Sequence, residues 1–366
     1  MLNELLCRIA LTMVPNVGAV HARTLIDQYG DACAVFKSKK SLLEKTEGIG
    51  YVRAKSIKSF NDFNRAEEEI AFTQKYKIEP LFLTDEKYPR RFLNCYDPPT
   101  IVYYKGSANL NSSKMLAIVG TRINTDYGKQ VTEQLVKDLS ALDVVIVSGL
   151  AFGIDAIAHK TALQYGMATV GVVGHGLDTI YPSQHTSLAK EMILQGGLLT
   201  EFMSKTKPDK HHFPIRNRVV AGITDATIVI ETSIKGGSMI TAEMANSYNR
   251  DVFAIPGKIT DSKSAGCNYL VKSNKAILLT DANQLIETLG WEEKKKKPAK
   301  IQRDLFINLT DDEKCVIEVL KEKEMMPVDE LHYKSRLSSS ALAAAVLNLE
   351  FQALISFLPG KNYKLI

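Results

Sequence analysis

The sequence has few cysteines and no long hydrophobic run. Its five cysteines are Cys7, Cys33, Cys95, Cys267 and Cys315. They are odd in number and widely spaced, with no CxxC or Cys/His pattern, which argues against a disulfide framework and against a zinc site. No apolar stretch approaches the roughly 20 residues that a membrane span needs, and the mildly apolar N-terminus carries Glu4 and Arg8. We therefore expect a cytoplasmic protein that is neither secreted nor membrane-bound.

Two nucleotide-binding signatures are also missing. The turn that begins Gly120-Thr121-Arg122 lacks the GxGxxG spacing, and Arg122 stands where a second glycine would let the backbone approach a pyrophosphate. NAD and FAD are therefore not expected. The chain has no GxxxxGK(S/T) motif either, which argues against an ATP-hydrolysing P-loop. Because no nucleophile, metal-ligand cluster or activated base stands out, we predict no cofactor, no metal and no catalytic residue.

The composition is that of a globular protein. The chain has 366 residues, of which 45% are hydrophobic and 24% charged, and this predicts two or three folded domains. The formal net charge is +5. A mildly basic protein is compatible with nucleic-acid binding, but many enzymes are equally basic.

Residues 1–76 are helical in pattern and contain an internal repeat. The sequences PNVGAVHA, at residues 15–22, and EGIGYVRA, at residues 47–54, share a glycine turn that opens a helix. This arrangement resembles the helix-hairpin-helix (SAM-like) module, in which backbone N–H groups at a helix start approach a nucleic-acid phosphate. Two ordinary turns between helices would give the same pattern, and the sequence leaves both interpretations open.

Residues 77–290 alternate between short apolar runs and amphipathic helical segments. The runs are LAIVG (116–120), VVIVSG (144–149), ATVGVVG (168–174), LLTEF (198–202), ATIVIET (226–232), VFAIPG (252–257) and AILLTD (276–281). Runs of Val, Ile and Leu without polar alternation indicate strands buried on both faces, and their alternation with helices indicates a parallel sheet. We therefore predict an α/β domain with a Rossmann-like, doubly wound, mostly parallel sheet.

The last part of the chain has a different pattern. Residues 291–304 carry a charge run and a proline, which is typical of a solvated linker. In residues 305–366, a capping box at Thr310–Glu313 precedes the first of three predicted helices, and two strands with a Pro-Gly turn end the chain. Three helices followed by a small hairpin resemble a winged-helix domain.

Glycine-rich turns follow several of the predicted strands. They lie at residues 120–128, 148–155, 174–178 and 232–241. Ligands of an open parallel sheet bind at the carboxyl ends of its strands, and each turn leads into a helix whose first N–H groups favour an anion. Any single turn could need glycine for its own geometry. Four such turns at one sheet edge, one of them carrying Arg122, predict a phosphate-binding site.

The segment DKHHFPIRNRVVAG, at residues 209–222, should begin a helix at the same edge. Lys210 and Phe213 offer a cation for a phosphate and an aromatic face for a base, the combination that single-stranded nucleic acid requires. Arg216 and Arg218 are two positions apart and cannot share one helix face. We expect one arginine to face the ligand and the other to pair with Asp155, Glu201 or Glu231.

Taken together, these motifs resemble the DNA-processing protein A (DprA, or Smf) family. In chain order they are VGTRINTDYG, VSGLAFGIDAIAHKTAL, VGHGLDTIYP, HHFPIRNRVVAG, ETSIKGGSMITAEMA and FAIPG. The resemblance implies a non-catalytic homodimer that binds incoming single-stranded DNA in natural transformation, protects it and loads the RecA recombinase onto it. In the family, the arginine of the G-(S/T)-R turn and the lysine and phenylalanine of the K-x-x-F-P segment contact the strand. Here these are Arg122, Lys210 and Phe213.

The full predicted DNA-binding set adds the glycine-rich turns and the start of the helix to these three residues. It consists of Gly120, Thr121, Arg122, Gly149, Phe152, Gly153, Gly174, Gly176, Lys210, Phe213, Arg216, Asn217, Arg218, Gly236, Gly237, Ser238 and Thr241. We expect little sequence preference. The affinity should fall steeply with ionic strength, because phosphate neutralisation releases counterions.

Two other functions remain open. Residues 236–243, GGSMITAE, are similar to the GGxGTxxE signature of the lysine-decarboxylase-like nucleotide phosphoribohydrolases, in which a glutamate and an arginine cleave an N-glycosidic bond. Met239 replaces a signature glycine, and only Glu243 keeps its place.

The winged-helix-like tail could instead bind duplex DNA as a regulator. Its third helix, within SSSALAAAVLNLEFQ, has no lysine or arginine for a DNA groove, so we expect that helix to contact protein.

Overall fold

The computed structural model describes residues 3–292 and 309–366. The chain divides into two compact units, Met1–Leu278 and Leu279–Ile366. The helices are α1 (Glu4–Met13), α2 (Ala19–Tyr29), α3 (Ala32–Lys37), α4 (Lys40–Lys45), α5 (Gly50–Ser59), α6 (Phe63–Tyr76), α7 (Asp126–Leu139), α8 (Ile154–Gln164), α9 (Thr186–Gln195), α10 (His212–Ile223), α11 (Gly237–Ser247), α12 (Ala265–Lys272), α13 (Ala282–Thr288), α14 (Asp311–Lys321), α15 (Val328–Ser335) and α16 (Ser339–Phe351). The strands are β1 (Glu79–Phe82), β2 (Ile101–Gly106), β3 (Met115–Val119), β4 (Val145–Ser148), β5 (Thr169–Val172), β6 (Gly197–Thr200), β7 (Ala226–Val229), β8 (Asp251–Ala254), β9 (Ile277–Leu278), β10 (Met326–Pro327), β11 (Ile355–Leu358) and β12 (Asn362–Leu365).

The predicted domain boundaries at residues 76, 290 and 304 stay predictions. Most of the predicted linker, residues 293–304, lies outside the described residues.

The first unit begins with the helices α1 to α6. Asn3 caps α1 by accepting a hydrogen bond from the backbone N–H of Leu5 at 3.2 Å, and Asp31 caps α3 through Ala34 at 2.6 Å. Gly18 precedes α2, and α5 begins at Gly50. Both copies of the repeat therefore open a helix, as predicted, while their contact with nucleic acid stays a prediction.

The expectation drawn from the cysteine spacing is wrong for one pair. Cys7 in α1 and Cys33 in α3 form a disulfide, with α carbons 5.2 Å apart and a sequence separation of 26 residues. Both cysteines are buried in the core where α1 packs on α3. Helix packing thus joins two cysteines that no sequence motif relates.

The central sheet has nine strands in the order β1-β2-β6-β5-β4-β3-β7-β8-β9. All neighbours from β6 to β9 are parallel. Every residue of β3, β4, β5 and β7 is buried, as expected for strands covered on both faces. Because β3 pairs with β4 on one side and β7 on the other, the strand order reverses at β3, and a ligand crevice forms at such a point.

Two antiparallel strands extend the sheet beyond the predicted ones. β2 pairs antiparallel with both β1 and β6. The proline-rich sequence around residues 88–106 does not predict a strand, yet the side chains of residues 101–104 are all buried in the core. This segment is a strand because it pairs with β1 on one side and, on the other, with β6, whose paired residues lie 91 to 97 positions later in the chain.

The second unit contains the predicted winged-helix domain. α14, α15 and α16 precede the hairpin of β11 and β12, and β10 adds a third strand beside β12. The predicted capping box is present: Thr310 N–H donates to the Glu313 carboxylate at 2.8 Å, and Glu313 N–H donates to the Thr310 hydroxyl at 3.3 Å. The predicted fold class, a mostly parallel α/β sheet between helical and winged-helix parts, is therefore confirmed. None of the helices in the described ranges is long and apolar enough to cross a membrane.

Candidate nucleic-acid interface

A cavity of about 460 Å³ opens at the carboxyl ends of β3, β4 and β7, where the strand order reverses. Its walls come from the turns after these strands and from the first residues of α10 and α11. The predicted residues that line it are Gly120, Thr121, Arg122, Gly149, Lys210, Phe213, Arg216, Asn217, Gly236, Gly237, Ser238 and Thr241. The fold thus brings together motifs from residues 120 to 241, and their contact with DNA stays a prediction.

Arg122 lies in a turn that is fixed by backbone hydrogen bonds to two other segments of the chain. The N–H of Thr121 donates to the carbonyl of Glu231 at 2.7 Å, and the N–H of Ile154 donates to the carbonyl of Thr121 at 3.2 Å. Gly153 has a φ of 75°, and a Cβ at this position would lie 2.2 Å from the Thr121 carbonyl oxygen, so glycine is required there. A fixed backbone therefore presents the exposed side chain of Arg122 beside the cavity.

Lys210 lies two residues before α10, Phe213 is the second residue of that helix, and both line the same cavity as Arg122. The guanidinium carbon of Arg122 is 5.0 Å from the centroid of the Phe213 ring, within the range of a cation–π contact. Phe213 is partly exposed and Lys210 is exposed. Two solvent-accessible cations and one accessible ring therefore meet in one place, although their sequence positions are up to 91 residues apart.

Arg216 forms part of the cavity floor and is almost fully buried. Its Nη1 donates to the carbonyl of Gly149, and to that of Val172 at 2.7 Å. Asp155 accepts hydrogen bonds from the N–H of Gly149 at 3.2 Å and of Ala151 at 3.3 Å. A Cβ on Gly149 would lie 1.9 Å from Arg216 Nη1. Gly149 therefore makes room for the arginine of the protein itself, rather than for a ligand.

Burial is the main influence on the charges of this floor. It lowers the pKa of Arg216 and raises the pKa of Asp155, and each group opposes the shift of the other. Arg122 lowers the pKa of Arg216 further. Since Asp155 offsets the charge of Arg216, an anion at the cavity mouth would be attracted mainly by Arg122 and Lys210.

Arg218 does not line the cavity, so its predicted place in the DNA-binding set is not supported by its position. Its guanidinium makes an ion pair with Glu201 and donates to the backbone carbonyl of Asp97. Burial raises the pKa of Glu201 to about 7 against the opposing effect of Arg218. As the spacing predicts, the two arginines of α10 lie on different faces of the helix. The packing of α10 on the sheet places Arg216, and not Arg218, toward the cavity.

The N-terminus of α11 also faces the cavity, through Gly236, Gly237 and Ser238. The N-cap residue is Gly236, which has no side chain to cap the first N–H groups. Asn217 Nδ2 donates to the carbonyl of Gly237 at 3.2 Å and so ties α10 to α11. Backbone N–H groups and the positive end of the helix dipole add to the preference of this wall for an anion.

The other predicted residues lie outside the lining: Phe152, Gly153, Gly174, Gly176 and Arg218. Phe152 is 43% exposed, and its ring centroid is 4.9 Å from that of His185. Gly176 belongs to the loop after β5, and a Cβ there would lie 2.5 Å from the carbonyl oxygen of Met203. Gly153 and Gly176 are therefore explained by close packing between segments of the chain.

Some lining residues are not in the predicted set. They include Ile123, Pro214, Thr232, Ser233 and Ile240. Each lies next to, or within a few residues of, a glycine-rich turn or the start of α10. Proximity to these motifs is therefore the signal that could have found them.

Glu243, the residue expected to act in a hydrolase, faces away from the cavity. It is exposed on α11, and its carboxylate lies 3.8 Å from the ammonium of Lys275. Ser238 and Thr241, three residues apart on the same helix, line the cavity instead. The helix geometry therefore separates the one retained signature residue from the site.

Comparison with known proteins gives consistent matches. A family model described as DNA recombination-mediator protein A matches residues 79–290, and the DprA winged helix domain matches residues 300–361. The Smf protein of Synechocystis is 31% identical over 97% of this chain and 97% of its own length. The DNA processing protein DprA of Streptococcus pneumoniae is 37% identical over 60% of this chain and 78% of its own length.

Two solved structures are also similar. The S. pneumoniae DprA structure matches with a TM-score of 0.67 and 30% identity, covering 77% of this chain and 96% of that protein. DprA of Helicobacter pylori, whose structure is described in terms of a unique single-stranded DNA binding mode, matches with a TM-score of 0.54 and 32% identity, over 59% of this chain and 97% of that one. From these matches, and from the family domains that cover most of its length, the chain belongs to the DprA/Smf family.

Proposed function

We propose that this protein binds single-stranded DNA at the cavity mouth and acts on that strand without catalysing a reaction. One observation carries the proposal: Arg122, Lys210 and Phe213 line one cavity, and the Arg122 guanidinium lies 5.0 Å from the centroid of the Phe213 ring. Its DprA relatives are described as DNA processing proteins, and the H. pylori relative as a single-stranded DNA binder. Both descriptions support a role in DNA processing.

The chemistry of the site suits a single strand better than a duplex. The two cations can each meet a phosphate, and the uncapped start of α11 can meet another. Phe213 needs the flat face of an unstacked base, which a single strand offers freely and a duplex does not. Stacking and phosphate contacts read no base identity, so the site should bind with little sequence preference.

A non-catalytic role fits the state of the buried groups around the site. Asp155 is engaged by backbone N–H groups and offset by Arg216. Nδ1 of His175 and Nδ1 of His185 each lie 2.9 Å from a backbone carbonyl oxygen. The hydrolase alternative would need Glu243 in the cavity, and that residue points outward.

The homodimer and the RecA recombinase enter the proposal from the resemblance to the family. For a second copy, the edge strand β9 offers a surface, since Ile277 and Leu278 are each 40% exposed there. In the winged-helix domain, α16 exposes Leu347 and Phe351 and carries no basic residue. An apolar face of this kind favours a protein partner over a DNA groove.

The test is the binding of a fluorescein-labelled thymidine oligonucleotide, followed by anisotropy with unlabelled duplex as competitor. We expect tight binding that duplex does not displace at equal concentration. Phe213→Ala should weaken it by about 5- to 150-fold, because stacking on one base contributes about 1–3 kcal/mol. Phe351→Ala, which removes an exposed ring of the second unit, is the control and should change nothing.

Failure of the wild-type protein to bind the oligonucleotide would refute the proposal. Release of free base from a nucleoside monophosphate, abolished by Glu243→Gln, would revive the hydrolase hypothesis.

For the RecA part of the proposal, the readout is the ATPase activity of RecA on a single strand coated with single-strand-binding protein. This chain should accelerate the onset of that activity, and Lys210→Ala should lose the effect.

A further inference from the structure

A second aromatic ring lies beside Phe213, outside the lining of the cavity. Tyr181 belongs to the loop after β5, and its ring centroid is 6.2 Å from that of Phe213, with 33° between the two ring planes. Tyr181 is 48% exposed. Phe213 therefore has two flat neighbours, the guanidinium of Arg122 and the ring of Tyr181.

The separation of the two rings is close to that of a slot for a base. Carbon atoms in contact are about 3.5 Å apart, so a flat base between two parallel rings needs the ring planes about 7 Å apart. The two ring centroids are 6.2 Å apart and the ring planes are tilted by 33°, so the gap between the rings must widen before it can hold a base. Rotation of the exposed Tyr181 side chain away from Phe213 would open that gap.

The backbone segments that carry the two rings are tied together. The N–H of Tyr181 donates to Nε2 of the buried His175 at 3.3 Å. Within the same loop, Gly176 N–H donates to the carbonyl of Thr206 at 3.0 Å, and Lys205 N–H donates to the Asp178 carboxylate at 3.0 Å. Residues 205–206 lead directly to Lys210 and Phe213. Because the loop is fixed in this way, little conformational entropy should be lost on binding.

We propose that Tyr181 and Phe213 form a slot for one unpaired nucleobase, next to the phosphates held by Arg122 and Lys210. The inference rests on the proposed function and extends the site beyond the cavity to the loop after β5. The ligand of the slot is any flat nucleobase, since neither ring reads hydrogen-bonding groups. The slot selects single-stranded over paired nucleic acid, because a paired base cannot enter between two rings.

The test compares two oligonucleotides of equal length, one of thymidine and one with abasic sites throughout. Tyr181→Ala should weaken binding of the thymidine oligonucleotide by about 5- to 150-fold, and Tyr181→Phe should bind as wild type does because it keeps the ring. Tyr181→Ala and wild type should bind the abasic backbone equally. Tyr165→Ala is the matched control: Tyr165 is 39% exposed, at the opposite end of α8 from the cavity, and its removal should have no effect.

A double variant tests whether both rings hold the same base. Tyr181→Ala combined with Phe213→Ala should weaken binding by less than the product of the two single effects. A loss equal to the product would mean that the rings contact separate bases, and would overturn the slot.

The failure of the slot can be told apart from the failure of the proposed function. If the wild type binds thymidine oligonucleotide and Tyr181→Ala binds it equally tightly, the slot is wrong and the proposed function stands. The slot is also wrong if Tyr181→Ala loses affinity for the abasic backbone to the same extent. If the wild type binds no single strand, the proposed function fails, and the slot fails with it.

Discussion

Glu69 is one of the residues of α6 through which the N-terminal helices hold the segment that leads to Lys210. It is 1% exposed, and its carboxylate accepts hydrogen bonds from the N–H of Ser204 at 2.9 Å and from the Ser204 hydroxyl at 2.5 Å. Nη2 of Arg65 donates to the same carboxylate at 2.7 Å and to the Ser204 carbonyl at 2.6 Å. Replacing Glu69 by alanine should therefore release Ser204 and the residues that follow it.

The size of the effect follows from these contacts. Glu69→Ala leaves the N–H and the hydroxyl of the buried Ser204 without their acceptor, and each buried unsatisfied group costs about 1–3 kcal/mol. We take about 3 kcal/mol as the loss of local stability. Since 1.4 kcal/mol is a factor of ten, this loss corresponds to roughly 150-fold faster local opening.

Hydrogen exchange followed by mass spectrometry measures this opening directly. In Glu69→Ala, the peptide that covers residues 203–207 should exchange roughly 150-fold faster than in the wild type, with strands β3 and β4 unchanged. Glu67→Ala is the matched control, because Glu67 is an exposed glutamate of the same helix, and its variant should exchange as the wild type does. Equal exchange of residues 203–207 in Glu69→Ala and in the wild type would refute the reasoning.

Two further predictions concern the core beneath the site. Burial, with smaller effects of His185 and Arg216, lowers the pKa of His159 from 6.5 to about 3. The unfolded chain therefore binds a proton that the folded state does not, and stability should be lost as the pH falls from 6.5 toward 3, by about 3 kcal/mol at pH 4.5 relative to pH 8. Urea unfolding should report a flatter pH profile in His159→Gln, and an unchanged profile would contradict this assignment. Gly149→Ala should lower the thermal midpoint through a loss of about 1–3 kcal/mol, because its Cβ would meet Arg216. Gly237→Ala, where an added Cβ has no heavy atom within 4 Å, is its control, and equal midpoints in the two variants would contradict the packing argument.

The parallel part of the fold could be predicted because its signal is local. The runs of Val, Ile and Leu form β3, β4, β5 and β7, and their continuous apolar character reflects burial on both faces. The antiparallel strand β2 is different, since its position depends on pairing with β6 and not on its own proline-rich surroundings. The Cys7–Cys33 disulfide was equally out of reach, because helix packing alone brings the two cysteines together.

In the candidate site, too, some residues have a local sequence signal and others are brought together only by tertiary packing. Arg122, Lys210 and Phe213 could be predicted to meet, because glycine-rich turns and a helix start follow strands of one parallel sheet. The spacing of Arg216 and Arg218 predicts different faces but does not indicate which face meets the sheet. Tyr181 could not be predicted as a neighbour of Phe213, since a loop has no periodicity from which to infer where a side chain points.

The most direct test of the central claim is the salt dependence of binding to a thymidine oligonucleotide. For single strands, the logarithm of the association constant falls with the logarithm of the salt concentration, with a slope of about −0.7 for each phosphate neutralised. If Arg122 and Lys210 each hold a phosphate, Arg122→Ala and Lys210→Ala should each make the slope shallower by about 0.7. Phe213→Ala should weaken binding while keeping the wild-type slope, because a stacked ring releases no counterion. A wild-type slope in both cation variants would contradict the assignment of this cavity mouth as the DNA site.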